Sequence, residues 1–147
     1  MNGEILTMNK KLKVAFICVH NSCRSQIAEA LGKHYGKDVF ESYSAGTEKK
    51  DEINKDAIRI VKNIYGIDML DSQYPKLLKD LPKIDIVIKM GCNLGCPYLP
   101  SKYTEDWGIE DPSGKNDEEF EKVIEKIDIN VKLLINKIIS KEYTIVK

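Results

Sequence analysis

Apolar positions follow two periods along this chain, and their alternation predicts strands separated by helices. Leu12, Val14, Ala15, Phe16 and Ile17 form a short, nearly unbroken apolar run, the pattern of a strand buried on both faces. Ile27, Ala30, Leu31 and Tyr35 then recur near helical spacing, and Gly36 ends that helix. Val39, Phe40, Tyr43 and Ser44 predict a second strand that stops at Ala45-Gly46-Thr47, and a charged loop follows from Glu48 to Glu52. Ile53, Ala57, Ile60, Val61 and Ile64 line one face of a further helix closed by Gly66, where glycine takes a left-handed cap easily. A shorter helix is predicted around Leu77, Leu78 and Leu81. Ile84 to Ile88 reads as a third strand, Met90 to Pro97 as a turn-rich loop and Tyr103 to Trp107 as a weaker fourth strand. From Phe120 through Val123, Ile124, Ile127, Val131, Leu134 and Ile135 to Ile138, apolar residues step by three and four, and this long amphipathic helix is read as core packing.

Strands alternating with helices predict an α/β fold: a central four-stranded parallel sheet flanked by helices on both faces. Ligands of such sheets sit beyond the carboxyl ends of the strands, so the residues after the first and third strands are where chemistry is expected. With 147 residues and no repeat, low-complexity segment or linker, the chain is read as a single domain, residues 1–10 forming a loose extension. The composition, 42% hydrophobic and 31% charged, excludes a disordered or fibrous protein. Basic and acidic residues number 23 each, and without a basic block neither nucleic acid nor an anionic membrane is an expected partner. A membrane span needs about 18 consecutive apolar residues, and no such run is present; the start Met1 to Thr7 also lacks a signal-peptide core. A cytoplasmic monomer is expected. There, four cysteines are catalytic, redox-active or metal-binding rather than a disulfide framework.

Between the first strand and first helix lies Cys18-Val19-His20-Asn21-Ser22-Cys23-Arg24-Ser25, a C-x5-R-S loop. So placed, its backbone N–H groups, the positive end of the helix dipole and the guanidinium of Arg24 would cradle a tetrahedral oxyanion. The same field, with a hydroxyl hydrogen bond from Ser25, would favour the thiolate of Cys18, which makes Cys18 the candidate nucleophile. Val19, His20, Asn21, Ser22, Cys23, Arg24 and Ser25 are the candidate oxyanion-binding residues, although Cys23 also reads as a small buried residue. His20 is read as a loop residue with a backbone contact rather than a proton shuttle. Asp111, in the Asp-Pro turn before the last helix, is a candidate general acid for a leaving oxygen.

Cys92 and Cys96 are a C-x3-C pair, open to three readings: half of a zinc site, a redox pair or coincidence. Zinc is disfavoured, because the loop claims Cys18 and Cys23 and the only histidines are His20 and His34. A disulfide is within reach, since turn-like chain brings such Cα atoms within roughly 4.4–6.8 Å.

Together these residues resemble the low-molecular-weight tyrosine phosphatase superfamily and, within it, the thioredoxin-coupled arsenate reductases. The motifs are Cys18 to Glu29, Ser44-Ala45-Gly46, Met90 to Pro97 and Asp106 to Gly114, and the resemblance runs from about Lys13 to Ile138. Gln26 stands where phosphatases usually carry proline, and Ser113-Gly114 where they place aromatics. The resemblance implies that Cys18 attacks arsenic, Arg24 and the loop amides hold the oxyanion, and Asp111 protonates the departing oxygen. Cys92 would then attack Cys18, expelling arsenite, and Cys96 would relay the disulfide to an external reductant. Asn21 would brace the loop and Ser25 the thiolate. Only Asn93, Leu94 and Gly95 separate the distal cysteines, fewer residues than in the thioredoxin-coupled members. Related reductases use a low-molecular-weight thiol, so thioredoxin or such a thiol is the expected reductant. Some members hold potassium near residues matching Asn21, Glu29 and Ser44, but the further acidic ligand would fall near Pro75; no metal and no cofactor are expected. The alternative is a protein tyrosine phosphatase working through a cysteinyl-phosphate, which would need Cys18, Arg24 and Asp111 alone. A third reading, a cysteine-based redox or metal sensor, would bind without turnover.

Overall fold

The computed structural model describes residues 11–91 and 99–140. Strands β1 (Leu12–Cys18), β2 (Phe40–Gly46), β3 (Ile86–Lys89) and β4 (Tyr103–Asp106) form one parallel sheet in the order β2-β1-β3-β4. Three helices accompany it: α1 (Arg24–Gly36), α2 (Lys55–Tyr65) and α3 (Asp117–Ile139). Because β1 is paired on both sides, its alternate residues enter two cores. Val14, Phe16 and Cys18 join a large cluster with side chains of all three helices, among them Leu31, Val61 and Ile127. Ala15 and Ile17 face the other side, with Ile84 and Val87. There the cover is shorter helical structure, a 3-10 turn at Leu78–Asp80, together with Tyr43, Leu81 and Leu99.

The expected helix around Leu77, Leu78 and Leu81 is not an α-helix. Leu81 precedes Pro82 and takes the extended conformation that this position demands, at φ −86° and ψ 149°, while Leu77 forms an isolated parallel bridge with Gly46. A second 3-10 turn, Met69–Asp71, had no periodic signal. The third strand starts at Ile86 rather than Ile84, since Asp85 instead uses its main-chain N–H and its carboxylate on the Lys13 carbonyl and N–H, at 2.9 and 2.8 Å. Ile53 precedes α2, whose N-terminus is capped by Asn54 through the Ala57 N–H, and Ile64 is half exposed rather than part of the buried face. Gly66 closes α2 in the left-handed conformation at φ 72°, as expected. Among the described residues no helix is long and apolar enough to cross a membrane. The expected N-terminal extension, and the part of the turn-rich loop that holds Cys92 and Cys96, lie outside the described residues.

The chain leaves β1 for β2 on one side and later crosses to β3 on the other. The carboxyl end of β1 is therefore the switch point of the sheet, where the crevice of an open α/β fold lies. Cys18 is its last residue.

Candidate active site

Val19 to Cys23 cross the sheet edge between β1 and α1, held from outside. The carbonyls of Val19, His20 and Ser22 accept the N–H groups of Glu48, Lys50 and Asn54, at 2.9, 3.4 and 2.8 Å. A Cβ on Gly46 would stand 2.7 Å from the Cys18 carbonyl oxygen, so the Ser44-Ala45-Gly46 motif ends on glycine because the loop packs against bare backbone. With its carbonyls taken up this way, the loop keeps its main-chain donors free: no main-chain N–H from His20 to Gln26 bonds to protein among the described residues. Helix α1 opens with Cys23 at its N-cap, no side-chain cap and no acid in its first turn. An anion placed there would meet unpaired N–H groups and the positive end of the dipole.

A directed relay reaches the nucleophile. Asn21, fully buried, is the one non-glycine residue with positive φ (53°) among the described residues. The main-chain N–H of Lys76, which can only donate, lies 2.7 Å from the Asn21 side-chain oxygen. That contact identifies Oδ1 and turns Nδ2 to donate to Ser25 Oγ at 2.9 Å. Having accepted that bond, Ser25 can donate its own hydrogen to Cys18 Sγ at 3.1 Å. A hydroxyl hydrogen so aimed stabilises a thiolate over a thiol. Gln26 Nε2 also donates to Asn21 Oδ1, at 3.0 Å, and Gln73 Nε2 to Gln26 Oε1, at 2.8 Å.

Around Cys18 stand groups of both signs. Arg24 Nη1 donates to the carbonyls of Met90, Gly91 and Ile109 at 2.8, 3.3 and 2.7 Å, fastening the end of β3 and the loop after β4 to the site. Its other guanidinium nitrogens make no protein hydrogen bond among the described residues, and Arg24 lines the same cleft of about 140 Å³ as Cys18, Asp111, Lys50 and Ser113. Burial alone would raise the Asp111 carboxyl, but the N–H and hydroxyl of Ser113, at 3.0 and 2.7 Å, and the charges of Arg24 and Lys50 hold it below the usual carboxylate range. Cys23 goes the other way: burial first, then the Asp111 charge, push its thiol up to about 12. Cys23 therefore stays a neutral thiol within the large apolar cluster. His20 is on the cleft wall, its carbonyl on Lys50 N–H and its imidazole 3.5 Å from Glu48.

The structure thus brings Cys18, Arg24, Ser25 and Asp111 together, along with residues that carry no local signal. Lys50 belongs to the charged loop, and nothing in its neighbours tells that this loop folds over the Val19–Ser22 carbonyls. Gln73 and Lys76 meet Gln26 and Asn21 across 47 and 55 residues of chain, beyond any periodic pattern. Ser113 was readable in part, since a serine two residues after an aspartate is a frequent side-chain turn.

The potassium set does not fit. Asn21 is committed to the relay, and Ser44 Oγ donates to Glu29 Oε1 at 2.5 Å. Near Pro75 the chain presents Lys76, whose ammonium lies 3.5 Å from Glu29 Oε1 and would repel a second cation. Among the described residues no group of three or more His, Cys, Asp or Glu is placed to hold a metal. A wider groove of about 670 Å³ between α2 and α3 is walled by Glu118, Glu121, Glu125 and Asp128, with Lys122 the cation among them, the wrong balance for an oxyanion.

Residues 13–144 match the model of the family described as low molecular weight phosphotyrosine protein phosphatase, and the chain belongs to that family. Within it the chain groups with the arsenate reductases. It is 36% identical over 129 residues to the arsenate reductase of Brevibacillus brevis, covering 85% of this chain and 95% of that one. A solved arsenate reductase in the phosphate binding state superposes with a TM-score of 0.76 at 33% identity, over 86% of this chain and 98% of the other. A thioredoxin-dependent arsenate reductase of Corynebacterium glutamicum superposes with a TM-score of 0.70 at 34% identity, over 92% of this chain and 65% of the other.

Proposed function

We propose that the protein reduces arsenate to arsenite with its own thiols as the immediate electron donors. The observation that carries this reading is the relay Lys76–Asn21–Ser25–Cys18, which aims a hydroxyl hydrogen at a sulfur standing before an uncapped helix N-terminus. The Cys18 thiolate attacks arsenic of a dihydrogen arsenate ion held by the loop amides and Arg24. A sulfur–arsenic bond forms, an arsenic–oxygen bond breaks, and the oxygen leaves as water with a proton delivered by Asp111. In the free protein Asp111 is held ionised by Ser113, Arg24 and Lys50. An arriving anion offsets those cations and raises the proton affinity of the carboxyl, so the acid is formed as the substrate binds.

The second half belongs to Cys92 and Cys96. The Cys92 thiolate attacks Cys18 Sγ, the sulfur–arsenic bond breaks and its electron pair leaves with arsenic, which takes two protons to depart as arsenous acid. Two thiols are oxidised to one disulfide and As(V) is reduced to As(III), so the electrons balance. Attack by Cys96 on Cys92 then frees Cys18 and offers a Cys92–Cys96 disulfide to the reductant. Support comes from Gly91, which precedes Cys92 and whose carbonyl is 3.3 Å from Arg24 Nη1. Thioredoxin is the proposed reductant, as in the Corynebacterium neighbour.

Phosphate-ester hydrolysis, the activity in the family's description, would need Cys18, Arg24 and Asp111 but neither distal cysteine. Against an aryl phosphate as the main substrate, no phenylalanine, tyrosine or tryptophan lines the cleft among the described residues. A single-turnover test separates the two. Reduced protein mixed with arsenate and no external reductant is expected to yield about one arsenite per chain with the loss of two titratable thiols, and Cys18→Ser none. Arsenate left unchanged with all thiols intact would reject the proposal.

A further inference from the structure

We infer that Lys76 is a positioning residue for Cys18: a cation built into the chain that holds the nucleophile's hydrogen-bond relay in register. The inference rests on the reading of Cys18 as the nucleophile and goes beyond it by assigning the relay's outer anchor. Lys76 acts through both backbone and side chain. Its N–H fixes the orientation of the Asn21 amide at 2.7 Å, and its carbonyl accepts the Gly46 N–H at 3.0 Å, so one residue ties the nucleophile loop to the end of β2. Its ammonium, on a side chain only 11% exposed, reaches back to the Tyr74 carbonyl at 2.9 Å and the Glu29 carboxylate at 3.5 Å. Glu29 projects from α1 with a side chain 4% exposed, and its other partners are Ser44 and the more exposed Lys33.

Several contacts make residues 73–76 a strap laid across α1. The Tyr74 carbonyl also accepts Gln26 Nε2 at 3.1 Å, and Gln73 Nε2 donates to the Gln26 carbonyl at 3.0 Å. Pro75 contributes no N–H, so the register of the strap depends on Lys76 and the two glutamines. Lys33 stays on the other oxygen at 2.7 Å, but a buried carboxylate that loses one of its two cations is left under-compensated and draws in water or another cation. Losing the ammonium would let the strap lift, and with it the shorter of the two donor contacts that fix which way Asn21 points. The same ammonium answers the disagreement with the potassium set, because the positive charge beside Glu29 comes from the chain.

The test follows alkylation of Cys18 by iodoacetamide in the full-length protein without substrate, read from the mass of the Cys18 peptide. Wild type, Lys76→Met and Lys76→Arg are compared in choline chloride and in potassium chloride of equal ionic strength, with kcat and KM for arsenate measured alongside. Lys76→Met is expected to slow Cys18 alkylation and kcat by about tenfold, the middle of the range for mutations that act through a coupled network, while KM changes little. Lys76→Arg keeps the wild-type rate within about twofold, as a retained charge requires. Potassium restores part of the Lys76→Met rate and leaves wild type unchanged. Should Lys76→Met fail to fold, Lys76→Gln, which keeps a donor for Tyr74, takes its place. Alkylation of the neutral variant at the wild-type rate overturns the inference. So does a slowed rate that neither arginine nor potassium recovers, since packing alone would then be at stake. If Cys18 is not the fastest-reacting cysteine of the wild type, the reading of the active site fails instead.

Discussion

Replacing Asn21 by aspartate reverses one link of the relay while changing few atoms. The new carboxylate still accepts the Lys76 and Gln26 donors, so the strap and the loop keep their anchors. Where Nδ2 donated to Ser25 at 2.9 Å, an oxygen now accepts, and the Ser25 hydrogen turns toward it and away from Cys18. Loss of a hydrogen bond to a charged group costs about 1.5–3 kcal/mol. The two successive hydrogen bonds of 2.9 and 3.1 Å put the new negative charge within about 6 Å of the sulfur. At an effective dielectric constant near 20 that adds roughly 2–3 kcal/mol of repulsion. At 1.36 kcal/mol per decade the sum is more than about a hundredfold. The assay is the rate of Cys18 alkylation at neutral pH, with arsenate turnover and thermal stability measured on the same sample. Asn21→Gly is the control, since glycine tolerates the φ of 53° and adds no charge. It should fall between wild type and Asn21→Asp. A folded Asn21→Asp protein whose Cys18 reacts within about threefold of wild type would show that the relay does not govern the nucleophile.

Three further perturbations test other parts of the account. Cys23→Ala should keep arsenate turnover within a few-fold, because a thiol pushed up to about 12 is neutral at working pH; inactivation with the fold intact would make Cys23 a reactive thiol. Asp111→Asn should cut turnover by about 10²–10⁴. The Asp111 carboxyl is held low in the folded protein, so its ionised form contributes stability above its unfolded pKa that is lost as pH falls through the folded value. The stability gap between wild type and Asp111→Asn should accordingly narrow in acid denaturation scans, and a gap that widened would contradict the direction of the shift. Gly91→Ala meets two obstacles, a φ of +87° and a Cβ only 2.7 Å from the Ile109 nitrogen. A left-handed non-glycine residue costs about 1–2 kcal/mol before any clash, so a measurably lower Tm is expected, and an unchanged Tm would mean that the Gly91–Ile109 approach is not tight.

Elements with long, uninterrupted periods were legible. The apolar stripe from Phe120 to Ile138 became α3, and the run around Phe16 became the central strand, because burial on a single face or on both leaves a plain mark on the sequence. Leu77, Leu78 and Leu81 carried a helix-like spacing that Pro82 and the pairing of Leu77 with Gly46 overrode. At the site, Cys18, Arg24, Ser25 and Asp111 were readable, since a strand, a loop and a helix N-terminus adjoin in sequence and a turn residue announces itself. Lys50, Gln73 and Lys76 were not, because each acts through chain segments brought together only by the folded topology. Gln26 was readable as a marker of family branch, but its hydrogen bonds to Asn21 and Tyr74 were not.

The central claim, that Cys18 starts a reduction which Cys92 completes, is tested most directly by following arsenite formation with thioredoxin, thioredoxin reductase and NADPH, wild type beside Cys92→Ser. Wild type is expected to produce arsenite continuously and Cys92→Ser none, while slow aryl-phosphate hydrolysis survives in the variant. Arsenite production that persists without Cys92 would contradict the division of labour between the thiols. Its absence from wild type with thioredoxin and with small thiols, alongside brisk aryl-phosphate hydrolysis, would make the protein a phosphatase.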